Sequence, residues 1–172
     1  MLKLFNFNGG VKPDYHKAAS TGLPIGAVPL PAELVIPLHQ SIGGTPQPLV
    51  TVGEKVLKGQ RIGAADGNVS AAVHASTSGI VKAVEMRRMP HPSGLSALCV
   101  VIAPDGEERW IECIPFDWRN AAPDDLRDYL RDAGIVGLGG AVFPSHLKLT
   151  PGKAGRLDTL VINGAECEPF IT

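Results

Sequence analysis

The sequence predicts a β-rich module followed by the truncated start of an α/β domain. Three observations carry this. Short apolar runs with a period near two, punctuated by glycine and proline, fill residues 33–102. At Pro123 the period changes to a helical one, with Leu126, Tyr129, Leu130 and Ala133 spaced i, i+3, i+4 and i+7. A glycine cluster and an apolar run, Asp158-Thr-Leu-Val-Ile-Asn163, then follow the helix. One strand with one or two helices cannot close a two-layer unit around its own core, so this last part is expected to be incomplete. The expected divisions are an extended arm (residues 1–30), the β module (31–115) and the start of the α/β domain (116–172).

Composition narrows the function classes. With 172 residues the chain holds one ordinary domain, or a small domain and part of another. Lys+Arg 16 against Asp+Glu 17 leaves a formal charge of -1, which argues against nucleic acid as a partner. No apolar run reaches the roughly 18 residues of a membrane span, so no transmembrane segment of its own is expected. The first ten residues contain no signal-peptide core, which makes a cytoplasmic location the default. Cys99, Cys113 and Cys167 are scattered and odd in number, which argues against a disulfide framework and offers no C-x-x-C metal pair. The apolar or aromatic surroundings of Cys99 and Cys113 read as buried, inert thiols.

In chain order, Gly9-Gly10-Val-Lys-Pro13 and the prolines from Pro24 to Pro31 break any helix in the arm. Glu33-Leu-Val-Ile-Pro-Leu38 has strand length, and Pro37 favours an edge position. His39 falls in the turn that follows and reads as a satisfied hydrogen-bonding residue. Val50 and Val52 alternate as in a strand, while Gly53 and Gly59 mark turns. Residues 69–84 give two strands about a turn at 76–79, and residues 86–94 read as a loop carrying Arg87, Arg88 and His91. Leu98-Cys-Val-Val-Ile102 closes the module, and Asp105-Gly106 turns the chain towards a link flanked by Trp110 and Trp118.

Pro123 suits the first helical position, Asp124 and Asp125 complement the positive helix start, and Gly134 fits the left-handed residue past its end. Four glycines then fall within seven residues of Gly134-Ile-Val-Gly-Leu-Gly-Gly-Ala-Val-Phe-Pro-Ser-His-Leu-Lys148. Glycine permits close approach to the backbone, successive N–H groups attract anions, and Lys148 adds a positive charge. By itself the stretch reads equally as a tight turn or as a phosphate cradle; it has neither the P-loop order nor G-x-G-x-x-G. Pro144 opens a second short helix. Residues 158–163 read as a buried, parallel strand. It leads into Asn163-Gly-Ala-Glu-Cys-Glu-Pro169, placed where open α/β sheets bind ligands. Asn163, Glu166 and Glu168 are costly there without partners.

Two phrases carry a resemblance. V-x-V-G-E-K-V-x-K-G-Q-x-I-G (residues 50–63) and H-A-S-T-S-G-I-V-K-A-V (residues 74–84) resemble the two halves of a biotinyl/lipoyl-type barrel-sandwich hybrid domain. Carriers of that type present a modifiable lysine between the halves. Here Ala64-Ala-Asp-Gly-Asn-Val-Ser70 contains none, so a structural module is expected rather than an acyl or biotin carrier.

The whole order of motifs is similar to the amino-terminal part of the C subunit of bacterial Rnf/Rsx electron-transport complexes. The second part also resembles the flavin-bearing subunit of respiratory NADH dehydrogenase, so a Rossmann-like FMN-binding domain is implied. The resemblance implies that the full-length protein oxidises NADH on FMN and passes electrons to 4Fe-4S clusters. It would do so beside other subunits of a membrane complex, as a peripheral protein at the cytoplasmic face of the bacterial inner membrane.

Carried over, Gly137, Gly139, Gly140 and Ala141 contact FMN through their backbone, Phe143 packs at the site and Lys148 meets a flavin oxygen or phosphate. Asn163, Glu166 and Cys167 line the flavin, with Glu168 nearby. No catalytic residue is assigned. The cluster motif C-x₂-C-x₂-C-x₃-C-P is absent here, so the clusters are expected in the missing C-terminal part and no metal in this fragment, which alone is expected to be inactive. Val142 stands where glycine is usual, Leu138 where the respiratory relative has arginine, and Ala165 where it has aspartate. A β-branched residue resists positive φ, which makes Val142 the departure that bears on cofactor geometry. The alternative is a redox-inert docking module for complex assembly.

Overall fold

The computed structural model describes Gly9, Asp14, residues 16–150, Thr159 and residues 161–162. Contacts divide the chain into two units, Pro29–Arg156 and the terminal segments Met1–Val28 with Leu157–Thr172. In the terminal unit a single helical turn, α1 (Ala18–Thr21), interrupts the expected extended arm. The turn forms between the proline-bearing stretches, where the hydroxyls of Ser20 and Thr21 both donate to Lys17 O at 3.1 and 3.0 Å. The buried strand expected at 158–163 is not seen at its described positions. Thr159, Val161 and Ile162 lie outside any strand, and Val161 and Ile162 are 86% and 79% exposed.

Among its described residues the larger unit holds seven strands in two antiparallel sheets. They are β1 (Leu34–Pro37), β2 (Gln47–Pro48), β3 (Lys55–Val56), β4 (Arg61–Ala64), β5 (Val73–His74), β6 (Gly79–Arg88) and β7 (Ser96–Pro104). One sheet runs β1-β7-β6-β3 and the other β2-β4-β5. This is the expected barrel-sandwich hybrid. Among the described residues β1 is an edge strand paired only with β7, which suits Pro37, a residue with no N–H to donate. β6 and β7 form the long hairpin, with register from Gly79↔Pro104 to Arg88↔Ser96 and a bulge between Val81 and Ala83. Arg87 and Arg88 therefore belong to β6 and not to a loop, because the ladder extends through both. Val50 and Val52 also depart from expectation and lie in no strand. Gly53, at φ +89°, turns the chain directly after them.

Ile36, Leu38, Val56, Ile62, Val81 and Val100 meet in the core between the sheets. Each such side chain contributes roughly 1.5–3 kcal/mol when fully buried. Cys99, Val100, Val101 and Ile102 are successive and all buried, so both faces of β7 are covered. Cys99 is thus the expected buried thiol, and burial pushes its pKa up. Cys113 is not: it sits on the exposed link after the barrel, where no sheet covers it.

Beyond β7 the exit of the barrel is pinned by polar groups. Ser78 Oγ donates to Asp105 Oδ1 at 2.6 Å and accepts from Arg109 N at 3.0 Å, while Thr77 Oγ1 donates to Glu108 Oε1 at 2.6 Å. Lys58 pairs with Glu108, and Trp110 covers Gly59 closely enough that an added Cβ would meet its ring at 3.1 Å. The link then reaches α2 (Pro123–Asp132), on which Phe116 stacks against Tyr129 at 4.1 Å. Pro123 opens α2 and Asp124 and Asp125 fill its first turn, as the sequence predicts. A one-turn helix, α3 (Ser145–Lys148), follows after Pro144.

Candidate functional site

Between α2 and α3 the chain makes a narrow-necked loop. Gly134 ends α2 in the left-handed region at φ +69°, and Ile135 N donates to Leu130 O at 3.0 Å. An added Cβ at Gly134 would lie 2.6 Å from Ala72 O of the barrel, so only glycine fits this joint. The neck is a short antiparallel bridge, Val136↔Pro144, closed by Gly137 N donating to Phe143 O at 2.8 Å and Ser145 N to Ile135 O at 3.1 Å.

The loop above the neck is open. Leu138 is 99% exposed, and an added Cβ at Gly139 or Gly140 would meet no atom within 4 Å. Among the described residues, no hydrogen bond engages the backbone N–H of Leu138, Gly139, Gly140 or Ala141. Consecutive free N–H groups of this kind suit an anion. Lys148 stands at the base: its Nζ lies 3.5 Å from where a Gly137 Cβ would be and 6.0 Å from the centre of the Phe143 ring. The fold thus brings Gly137, Phe143 and Lys148 together below a tip made of Gly139, Gly140 and Ala141. Asn163, Glu166, Cys167 and Glu168 lie outside the described residues.

Val142 holds a left-handed backbone at φ +45°. This is the conformation that a glycine adopts freely and a β-branched residue resists, at a cost of about 1–3 kcal/mol. Its side chain is half-buried in a narrow cleft with Leu38, Ala71, Ala72 and Gly134, so packing against the barrel offsets the strain. Val142 thus adopts the backbone region that the glycine pattern favours.

Arg131 and His146 were not singled out by the sequence, yet both reach the barrel. Arg131 Nη2 donates to Gly67 O at 2.6 Å and to Ala65 O at 3.4 Å, and Ala72 N donates to Arg131 O at 3.0 Å. His146 Nε2 lies 3.2 Å from Asn68 O. A carbonyl only accepts, so this nitrogen carries the proton. Asp132 pairs with Arg61 of β4 at 2.7 Å. The one available signal was position, since Arg131 lies in the last turn of the helix before the glycines and His146 in the first turn of the one after them.

A roomier groove of about 730 Å³ runs along Tyr129, Asp132 and Ala133 of α2, with Lys58, His74 and Trp110 on its other walls. Burial, and then the charge of Arg61, push the His74 pKa below its usual value, which favours the neutral imidazole. Among the described residues no three His, Cys, Asp or Glu side chains gather into a metal site, and no helix is long and apolar enough to cross a membrane.

The two sheets define a barrel-sandwich hybrid, and its hairpin at residues 65–72 carries no lysine. Residues 5–107 match the RnfC barrel sandwich hybrid domain, and the chain belongs to this family. Residues 130–172 match the Nuo51 FMN-binding domain, so the chain continues from the barrel into the start of such a domain. The C subunit of an ion-translocating oxidoreductase complex of Pseudomonas aeruginosa is 50% identical over 173 residues, covering 100% of this chain and 22% of the relative. The corresponding subunit of Vibrio cholerae is 46% identical over 171 residues, 99% of this chain and 22% of the relative. The C subunit of a proton-translocating ferredoxin:NAD(+) oxidoreductase complex of Clostridium ljungdahlii is 42% identical over 174 residues, 100% of this chain and 37% of the relative. The chain thus spans between about a fifth and two fifths of the curated relatives it matches.

Proposed function

We propose that the full-length protein is the NADH-oxidising, FMN- and iron–sulfur-dependent electron-transfer subunit of a membrane-bound Rnf-type complex. It works with the other subunits as a peripheral protein at the cytoplasmic face of the bacterial inner membrane. The observation that carries this is the open loop tip, where four successive backbone N–H groups stand free of internal partners among the described residues, above Lys148. The match of residues 130–172 to an FMN-binding domain supports the same ligand. The name of the Clostridium ljungdahlii relative, which belongs to a ferredoxin:NAD(+) oxidoreductase complex, supports the nicotinamide partner.

In this assignment the free backbone N–H groups of Gly139, Gly140 and Ala141 bind the flavin phosphate side, while Gly137, whose N–H donates to Phe143 O at 2.8 Å, closes the neck beneath them. Glycine at the tip keeps the approach free of Cβ atoms. Lys148 supplies the cation for a phosphate or flavin oxygen, and Phe143 holds the lysine and covers the base of the cradle. Asn163, Glu166, Cys167 and Glu168 keep the flavin-lining role that the family resemblance implies. Bound FMN supplies the step the side chains cannot, taking two electrons as hydride and releasing them singly. The barrel (residues 31–115) and the flavin segment (from 116) are then two functional parts of one subunit, and docking onto other subunits is compatible with both.

The test is titration of FMN into the full-length protein, followed by quenching of flavin fluorescence. Saturable binding at micromolar concentrations is expected, weakened about tenfold by Lys148→Met through loss of a charge-assisted contact. Absence of any binding at micromolar FMN overturns the proposal.

A further inference from the structure

The barrel hairpin between β4 and β5 occupies the place where carrier modules expose a lysine for chemistry. Here it carries no lysine and does not stand free. Arg131 clamps it through the carbonyls of Ala65 and Gly67, and His146 reaches the carbonyl of Asn68. These two residues lie on either side of the glycine loop in sequence. One is in the last turn of the helix before it and the other in the first turn of the helix after it. Both stems of the loop are therefore fastened to one hairpin, 64 and 78 residues away along the chain.

The joint is close as well as polar. Gly134 admits no side chain because Ala72 O lies where a Cβ would go, and Val136 and Val142 share a cleft of only about 40 Å³ with Leu38, Ala71 and Ala72. At the tip, by contrast, an added Cβ at Gly139 or Gly140 would meet nothing within 4 Å, and the hydrogen bond of Val142 N to Gly139 O at 3.0 Å stays within the loop. Its position is set by the stems, and the stems are set by the hairpin. The joint is also not optimised for stability alone. Arg131 Nε and His146 Nδ1 are buried with no partner among the described residues, and Val142 holds a strained backbone within the same joint. Unpaired buried polar atoms and strained backbone persist where the surrounding structure fixes a geometry.

We propose that the barrel hairpin at residues 65–72 is a platform that positions the FMN cradle, with Arg131 and His146 as its positioning residues. The platform replaces the carrier's mobile arm with a fixed support. It holds the loop in a preorganised form, so that flavin affinity and the flavin's chiral environment depend on barrel contacts that never touch the flavin. This rests on the flavin-cradle function proposed above.

The experiment uses the full-length protein and FMN itself, with four variants: Arg131→Ala, Arg131→Lys, His146→Leu and His146→Gln. Glutamine keeps an N–H donor near the position of the histidine Nε2, and leucine removes it. Binding is read by flavin fluorescence, the flavin environment by visible-region circular dichroism of the bound cofactor, and folding by far-ultraviolet dichroism. Arg131→Ala and His146→Leu are expected to weaken FMN about tenfold or more through lost preorganisation. Their flavin dichroism is expected to change while the folded signal is kept, and His146→Gln is expected to recover most of both. Wild-type affinity and wild-type flavin dichroism in all four variants would overturn the platform while leaving the flavin function standing. A wild-type protein that binds no FMN overturns the flavin function, and the platform with it. Should the alanine and leucine variants fail to fold, Arg131→Lys decides: lysine keeps the charge but cannot reproduce the guanidinium's contacts to the carbonyls of Ala65 and Gly67, so unchanged flavin dichroism and affinity in it overturn the proposal.

Discussion

Asp105 accepts hydrogen bonds from Ser78 Oγ, Arg109 Nη2 and Glu107 N at the exit of the barrel. The Ser78 hydroxyl, and after it the Arg109 guanidinium, hold its carboxyl at about 2 against the usual 3.8. A depressed carboxylate binds fewer protons in the folded than in the unfolded state between those two values, so stability rises with pH there. Its contribution is complete above pH 3.8 and is lost as pH falls through about 2. Asp105→Asn should therefore lower the melting temperature at pH 7 and converge with the wild type near pH 2. Thermal melts of both proteins across that range measure it, and a constant difference at every pH would rule it out. The charged and hydroxylated residues at this corner are plain in the sequence, but their mutual bonds are not. Ser78 and Asp105 lie 27 residues apart and meet only when β6 and β7 pair.

At the scale of elements, α2 is the most legible part of the chain. Its proline start, acidic first turn and glycine stop all act within a turn of helix, so they depend on local sequence alone. The strands are less so. Val50 and Val52 have strand-like alternation, yet Gly53 bends the chain before a ladder forms, and Val50 enters the core from outside any strand. Gly134 belongs to both classes. Its left-handed φ was foreseeable as a helix stop, whereas its contact with Ala72 O is a tertiary fact. Gly134→Ala is accordingly expected to destabilise the protein by about 1–3 kcal/mol from φ alone, and by more from the blocked contact. Urea unfolding measures the loss. A change below about 0.5 kcal/mol, the range of ordinary surface substitutions, would show that the joint can open without cost.

At the scale of the whole molecule, the barrel and the segment from α2 to α3 fall in one compact unit. A ligand held by the loop should therefore stabilise the barrel by linkage. At a free FMN concentration about 100 times the dissociation constant, the gain is about 2.7 kcal/mol. Hydrogen exchange on the full-length protein should show slower exchange at residues 65–72 when FMN is added. Unchanged protection there, with FMN bound, would separate the two regions energetically. An intact mass equal to that of the unmodified chain is the matching expectation for a hairpin with no lysine to acylate.

The barrel-sandwich class came through the resemblance carried by residues 50–63 and 74–84, while the sequence by itself determined the start of α2, the glycine tip and the lack of a lysine in the hairpin. These last three are written in local periodicity or in residue identity, which need no knowledge of closure. Only the tertiary structure decided that Val142 adopts a glycine-like backbone and that Arg131 and His146 meet carbonyls of one hairpin. Those contacts join segments 64 and 78 residues apart, so no local pattern encodes them. They arise because closing the two sheets leaves one hairpin beside the end of α2, where its carbonyls accept from Arg131 and His146.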